Sequence, residues 1–384
     1  MVEKFDVIII GAGSVGVPTA MAQASAGQKV LVIDSGTSAG QGQNKHAIGG
    51  IRATHTAKHK ILTCQRSIEI FSTWEEKHKE TIEWKTGGYV FVAYTETHEK
   101  MFKDNLKIQK EYGLNINWVS AEKLMELAPG INSNGLLGGT YSPDDGSANP
   151  MMAINAFQRN AECNGAVFRY NETVIGFEYS GKKISAVKTN MGTYKADWFI
   201  NAAGAHAAEI GRMINLDLPV EPDSHEAGVT EPVQDFFNPM LVDLREESGS
   251  KNYYFYQDGF GSVVFCITPN PPIIGTDTRE TSVFLPQIAR RMIDLYPRLH
   301  NLRVRRQWRG LYPMSPDGNP IVGLVKEFDN YINAVGMCGQ GFMLGPGLGE
   351  LIARITTDNL TDEDKEILEE MSLYRDFGSV ELLK

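Results

Sequence analysis

Three glycines spaced as Gly11-x-Gly13-x-x-Gly16 follow directly on the apolar run Val7-Ile8-Ile9-Ile10, and a second run, Val30-Leu31-Val32-Ile33, ends at Asp34. This spacing suits a pyrophosphate and a ribose. Gly11 permits a tight strand-to-helix turn, Gly13 has no Cβ to hold a pyrophosphate away from the backbone, and Gly16 lets the helix pack closely on the strand. Ser14 and Val15 open that helix, where unpaired N–H groups and the positive dipole end face the phosphates. Asp34, followed by Ser35, sits where a carboxylate accepts hydrogen bonds from both ribose hydroxyls. Strand, turn, helix, strand and acid in register specify a dinucleotide site.

A second glycine-rich stretch lies near the other end, Gly336-Met337-Cys338-Gly339-Gln340-Gly341-Phe342-Met343-Leu344-Gly345-Pro346-Gly347-Leu348-Gly349. It precedes an apolar helix expected over 348–357, and so many glycines imply a backbone laid directly against a ligand. A third small-residue segment, Asn201-Ala202-Ala203-Gly204-Ala205, ends an expected strand at 194–200 and offers another close backbone approach.

The elements that must position these segments follow from periodicity and turn chemistry. Helices are expected over 15–26, 56–79, 96–112, 150–164 and 286–296, with a short one opened by the Ser120 cap and ended by Pro129. Strands are expected at 88–94, 166–169, 173–179, 184–189 and 303–308, and the pattern from 219 to 275 is strand-like and antiparallel, centred on Tyr253-Tyr254-Phe255-Tyr256. Residues 35–52 and 138–150 read as long polar or turn-rich loops, and 361–384 as a charged surface helix.

The chain has 384 residues, 42% hydrophobic and 22% charged, which suits an ordinary globular protein of two domains. A net charge of −10 excludes a general nucleic-acid binder, because phosphate contact needs a positive footprint. The local cluster Arg303, Arg305 and Arg306 reads as the solvated face of a strand. Cys64, Cys163, Cys266 and Cys338 are dispersed, which fits reduced thiols in the cytoplasm better than a disulfide frame or a zinc site. No secretory leader or membrane span is expected. His55 and His59 fall one helical turn apart, but a solvated helix face is favoured over a metal pair, and no metal is expected.

With these segments placed, the chain resembles the D-amino-acid oxidase-like superfamily of FAD-dependent amine oxidoreductases. Within it, the chain is most similar to the branch of sarcosine oxidase, dimethylglycine dehydrogenase and the dye-linked proline dehydrogenase β-subunit. Five anchors occur in the family's order: Gly11-Ala12-Gly13-Ser14-Val15-Gly16, Gly49-Gly50-Ile51-Arg52, Asn201-Ala202-Ala203-Gly204-Ala205, Trp308-Arg309-Gly310-Leu311-Tyr312-Pro313-Met314-Ser315-Pro316-Asp317 and Gly339-Gln340-Gly341-Phe342-Met343. The resemblance implies an α/β fold with an α+β insert: a Rossmann-like FAD-binding domain from 1–86, 144–217 and 319–384, and an interleaved antiparallel-sheet substrate domain from 87–143 and 218–318. It further implies adenosine near Asp34 and Val174, with the isoalloxazine ring at the domain junction. His46, Gly49, Gly50, Ala202, Ala203, Gly204, Gly310, Gly339, Gly341, Phe342 and Met343 would join the N-terminal motif around the cofactor. The closing helix N-terminus would face the pyrimidine edge, where donors and a dipole favour the negative charge of a reduced ring.

The family reaction takes a hydride equivalent from the carbon beside an amine, and the imine then hydrolyses. Positioning and electrostatics dominate such chemistry. Arg52 matches the arginine that binds substrate carboxylate, a role a guanidinium fills bidentately. Where the branch has a second cation after Gly-x-Gly-Phe, this chain has Met343, and Arg309 is either its substitute or outside the pocket. Tyr312 matches a tyrosine of the secondary-amine branch, where enzymes for primary amino acids have arginine. Tyr254 and Tyr256 either line the pocket or pack in a sheet core.

Gly310 replaces a flavin-linking cysteine, so that bond is absent. His46-Ala47-Ile48-Gly49 is similar to a stretch whose histidine carries covalent FAD, with a loop histidine beside non-covalent FAD as the default reading. The oxygen-activating lysine of the sarcosine oxidase relatives falls near Val263, which predicts a dehydrogenase rather than an oxidase. The expected function is oxidation of a small secondary or N-methyl amino acid, with electrons passed to a dye, a quinone or a partner flavoprotein. Two alternatives are an FAD-carrying subunit relaying electrons within a hetero-oligomer, and a 2-hydroxy-acid dehydrogenase on the same fold.

Overall fold

The computed structural model describes residues 3–378 and 383. Two eight-stranded sheets dominate it. The first is organised around the strand Lys4–Ile10, which pairs in parallel with Val30–Ile33 on one side and Thr193–Asn201 on the other. Val7, Ile8, Ile9 and Ile10 are all buried, as a parallel strand covered on both faces requires. Val167–Arg169 extends this sheet beyond Val30–Ile33, and Tyr331–Val335 joins Thr193–Asn201 in parallel.

The helix Gly16–Ser25 covers one face of this sheet together with the helix Gly341–Thr356. Glycines make that contact. A methyl group at Gly345 would strike the carbonyl oxygen of Ser14, and one at Gly349 would meet Pro18. On another side, Gly347 lies against Thr63 of the helix Lys58–His78 and donates its N–H to Ser67 Oγ at 2.9 Å. The closing helix therefore begins at Gly341, seven residues earlier than its periodicity suggests, and three of its glycines serve helix packing rather than a ligand. Gly339 and Gly341 do face the cavity described below.

The second sheet runs in the order Val304–Met314, Glu221–Thr230, Val263–Asn270, Gly249–Gln257, Met240–Asp243, Tyr89–Ala93, Gly138–Ser142, Asn117–Ser120. Its pairings are antiparallel except Met240–Asp243 with Tyr89–Ala93, which is parallel. Period-two alternation divides its residues between two environments. Val263, Phe265 and Ile267 point into a cluster with Phe284, Ile288, Met292 and Leu295 of the helix Phe284–Leu295. Cys266 and Thr268 point the other way, into the cavity.

Other expectations change in detail. The strand expected at 303–308 continues to Met314, because Glu221–Thr230 pairs along its whole length. The loop expected at 138–150 contains the strand Gly138–Ser142, whose glycines fit where Trp118 and Phe91 leave no room for side chains. The polar loop at 35–52 holds a short 3-10 turn, Asn44–His46, and a two-residue strand, Gly50–Ile51. The tail helix is Asp362–Glu370 alone, with Ile367 and Met371 buried against the first core, and part of the remaining expected range lies outside the described residues. No helix among the described residues is long and apolar enough to cross a membrane, and all four cysteines are free.

Candidate active site

Between the two sheets lies one cavity of 910 Å³. It begins at the N-terminal glycine turn, where Gly11 has φ +109° and packs against the carbonyl of Ala202. A side chain at Gly11 would need this rare backbone conformation and would also collide with that carbonyl. Gly13 differs: a Cβ there would meet nothing within 4 Å. The space over Gly13 is therefore open groove, as a backbone-hugging pyrophosphate needs. Asp34 holds the turn in shape by accepting the N–H of Ala12 and of Gly36, both at 2.6 Å. A carboxylate retains lone pairs beyond those two bonds for ribose hydroxyls.

The cavity wall then follows Ser35, Val174, Ala202, Ala203 and Gly204 at one end, and His46, Gly49, Gly50, Gly310 and Gly339 to Met343 towards the other. Ser14 and Val15 also line it, whereas Gly16 is spent on helix-to-strand packing, where a methyl would collide with the Gly11 carbonyl. A cradle with an unobstructed glycine, backbone donors and a helix N-terminus fits an extended dinucleotide.

His46 packs so tightly on Gly310 that a Cβ there would lie 2.8 Å from the His46 Cβ. Its carbonyl accepts the Trp308 indole N–H at 2.8 Å. Burial, helped by the charges of Lys45 and Arg306, lowers its pKa, so the imidazole is neutral near pH 7. Gly339, at φ +81°, is pressed against the ring of Tyr312.

The second sheet supplies the chemistry-bearing wall. Tyr254 and Tyr312 both reach the cavity and their hydroxyls are 2.9 Å apart. Burial raises both phenols well above the ordinary tyrosine value, so they act as neutral hydrogen-bonding groups and not as bases. Tyr256 is buried with its hydroxyl on the Ile48 carbonyl and stands outside the cavity wall.

Alternation on Glu221–Thr230 brings Asp223, His225 and Ala227 to the same wall. The His225 ring stacks on Tyr312 at 3.8 Å and 14°, and its Nε2 is 3.1 Å from Asp223 Oδ2. Burial would raise Asp223, but the His225 hydrogen bond and charge with backbone N–H donors outweigh it and hold the carboxyl low. This Asp-x-His pair fixes the plane of the Tyr312 ring. Its sequence signal was a charged residue and a histidine two apart in a strand, readable only once the strand's phase is known.

Arg52 is 6% exposed and lines the cavity. Its guanidinium stacks over Phe91 at 5.3 Å, donates to the carbonyls of Thr54 and Leu383, and lies 3.2 Å from His55 Nδ1. Burial and the Arg52 charge hold His55 well below its usual value, so a neutral ring accepts that bond. His55 is thus buried, not solvated, and His59 is likewise buried and pairs with Glu370 at 2.8 Å. No group of three or more His, Cys, Asp or Glu among the described residues could hold a metal ion.

Arg309 sits in register with Glu226, on the face of the sheet turned away from the cavity, and donates to the Arg279 carbonyl. It is therefore no second carboxylate partner. Val263 is equally misplaced for a role beside a bound ring, since it points into the cluster under the helix Phe284–Leu295. The cavity-lining residues of its strand, Cys266, Thr268, Pro269 and Asn270, are uncharged.

Asp145 underlies this corner. It accepts the N–H of Ala53 and the hydroxyl of Thr54, both at 2.9 Å. Burial is the largest influence and lifts its pKa to about 6, against these hydrogen bonds and the nearby Arg52 charge. A carboxyl raised above its unfolded value (about 4) holds its proton longer in the native state. Its contribution to stability is therefore greatest below about pH 4 and declines as pH rises to about 6. We expect thermal unfolding of wild type between those pH values to carry this declining component and Asp145→Asn to lack it; identical slopes would refute the assignment.

Comparison with known proteins gives three kinds of relative. A family described as "DAO: FAD dependent oxidoreductase" matches residues 6–355. The crystal structure of L-proline dehydrogenase from P. horikoshii superposes with a TM-score of 0.91 at 30% identity, over 99% of this chain and 100% of that one. Monomeric sarcosine oxidase from Bacillus sp. (strain B-0618) is 26% identical over 96% of each chain. Human mitochondrial dimethylglycine dehydrogenase is 26% identical over 91% of this chain, which spans 42% of that protein's length.

Proposed function

The chain belongs to the DAO family of FAD-dependent oxidoreductases, and from that premise we propose that it oxidises the C–N bond of a small secondary or N-methyl amino acid. One observation carries this reading: a single cavity runs from the glycine cradle and Asp34 to a wall holding Arg52, Tyr254 and Tyr312. Arg52 takes the substrate carboxylate, because a guanidinium offers two parallel donors to it. The Tyr254–Tyr312 pair orients the amine end, and the aromatic surface of Tyr89 and Phe91 covers the aliphatic part and excludes water. Bound FAD would supply the acceptor for the hydride equivalent. The names of the proline and sarcosine enzymes support the substrate class.

Asp34, Ser35 and Val174 would hold the adenosine end. We take His46 as a loop histidine beside non-covalently held FAD, so acid precipitation should leave the yellow colour in solution; colour in the pellet would mean attachment.

The substrate is tested by anaerobic bleaching of the bound flavin. Sarcosine, N,N-dimethylglycine or L-proline should bleach it at least tenfold faster than glycine, D-alanine or lactate. Bleaching by lactate alone would establish a 2-hydroxy-acid enzyme instead. On the strand Val263–Asn270 the cavity-lining residues are all uncharged, so no cation stands at the position that matches the oxygen-activating lysine, and this supports an acceptor other than oxygen; Lys251, on the adjacent strand, is the lysine that lines the cavity. Stopped-flow reoxidation in air should accordingly be slower than turnover with an artificial dye; equal rates would make the enzyme an oxidase.

A further inference from the structure

Arg52 is clasped by the residues that follow it. Its Nη1 spends one hydrogen on the Thr54 carbonyl and the other on His55 Nδ1, 3.2 Å away. A guanidinium only donates, so Nδ1 is the acceptor and the ring proton sits on Nε2. That nitrogen lies 3.6 Å from Cys64 Sγ, and the sulfur receives the Nε2–H and fixes the tautomer. His55 and Cys64 are both fully buried, behind the cavity wall that Arg52 lines.

The clasp is itself held in place. Cys64 comes from the helix Lys58–His78, and Gln109 of the helix Glu96–Glu111 donates to the His55 carbonyl at 3.0 Å. The His55 N–H returns to the Ala53 carbonyl at 2.8 Å, while Asp145 grips Ala53 and Thr54. With Phe91 over its plane and His55 at one corner, the guanidinium keeps a single rotation. A long side chain fixed in this way has little rotamer freedom left to lose when a substrate binds.

We infer that His55 is a positioning residue for the carboxylate subsite: by taking an Nη1 hydrogen it presents the Nε–Nη2 edge of Arg52, and not the Nη1–Nη2 fork, to the substrate. With both Nη1 hydrogens spent, the end-on fork has only one arm. The side edge still offers two parallel donors to a carboxylate. Cys64 acts one step further back, because a ring protonated on Nδ1 instead would turn a donor towards the guanidinium and lose it. This rests on the reading of Arg52 as the carboxylate's partner.

The test is calorimetric titration of the FAD-loaded protein with pyrrole-2-carboxylate, a ring carboxylate with no hydride to give. It compares wild type with His55→Gln and His55→Asn. Asparagine sets its Oδ1 where Nδ1 stands and keeps the acceptor for Arg52; glutamine sets its amide nitrogen near Nε2 and keeps only the donor to Cys64. His55→Gln should weaken probe binding roughly tenfold, whereas His55→Asn should stay within about threefold of wild type. KM for the amino acid that bleaches the flavin should follow the same order, with the loss on KM and not on kcat. Wild-type affinity in His55→Gln, or an equal loss in both variants, would overturn the inference, the latter because it leaves the ring a packing role only. Should His55→Gln not fold, Cys64→Ala decides: it should weaken the probe in the same direction, and unchanged binding would overturn the inference. Arg52→Met separates the two readings. If it leaves wild-type affinity for the probe intact, the carboxylate assignment has failed; a loss there beside wild-type affinity in His55→Gln removes the positioning role alone.

Discussion

Gly13→Ala should yield a folded, heat-stable protein that holds FAD more weakly, whereas Gly16→Ala should damage the fold itself. The two glycines share one motif but face different neighbours. A methyl on Gly13 meets no protein atom within 4 Å and projects into the groove, so the empty protein loses nothing. It would stand where the pyrophosphate must approach, and overpacking of that kind weakens FAD binding by roughly 10- to 100-fold. A methyl on Gly16 instead strikes the Gly11 carbonyl within the core of the first sheet, and backbone atoms cannot yield cheaply. That cost lies in the range of about 4 kcal/mol, which lowers Tm by roughly 5 °C in a chain of this length. Calorimetry of the two apo proteins, with flavin fluorescence titration, checks both halves. Equal loss of stability would mean that Gly13 is also packed against protein.

Arg52→Ala should lower kcat/KM for the amino acid by roughly 10²- to 10³-fold, the effect of leaving a buried carboxylate without its charged partner. Arg52→Lys should recover only part of this, because an ammonium cannot replace a planar fork stacked over Phe91. The loss should fall mainly on KM, since the carboxylate is held alike before and during reaction. Flavin binding should survive, because the pyrophosphate end is supported by separate segments. A kcat/KM within threefold of wild type would remove Arg52 from the site.

The N-terminal fingerprint was legible because everything it needs is local: Gly11, Gly13, Gly16 and Asp34 carry their spacing within one strand–helix–strand unit. The hydrophobic runs of the first sheet were equally plain, being buried on both faces. The second sheet was harder, since its residues take meaning from strand phase. Val263 and Arg309 looked chemically interesting by position and point away from the cavity, while Asp223, His225 and Cys266 looked ordinary and face it. One residue of offset exchanges the two environments. The closing glycines misled for another reason. A glycine needed for contact with a ligand and one needed for contact with a helix leave the same mark in a sequence, and only the neighbours of Gly345, Gly347 and Gly349 tell them apart. Leu383 carried no signal, because nothing local connects it to Arg52.

The seam between the helices Gly16–Ser25 and Gly341–Thr356 joins segments as far apart as Gln23 and Ile352, whose side-chain amide and carbonyl are 3.5 Å apart across a sequence separation of 329. On the ribosome, the phosphate turn emerges long before the helix that walls it in. The apolar face of the helix Gly16–Ser25 must wait, in contact with solvent or a chaperone, while the residues between them are translated. Colour can therefore be acquired only after Gly341–Thr356 has emerged, and a nascent chain stalled before Gly341 should be unable to retain FAD.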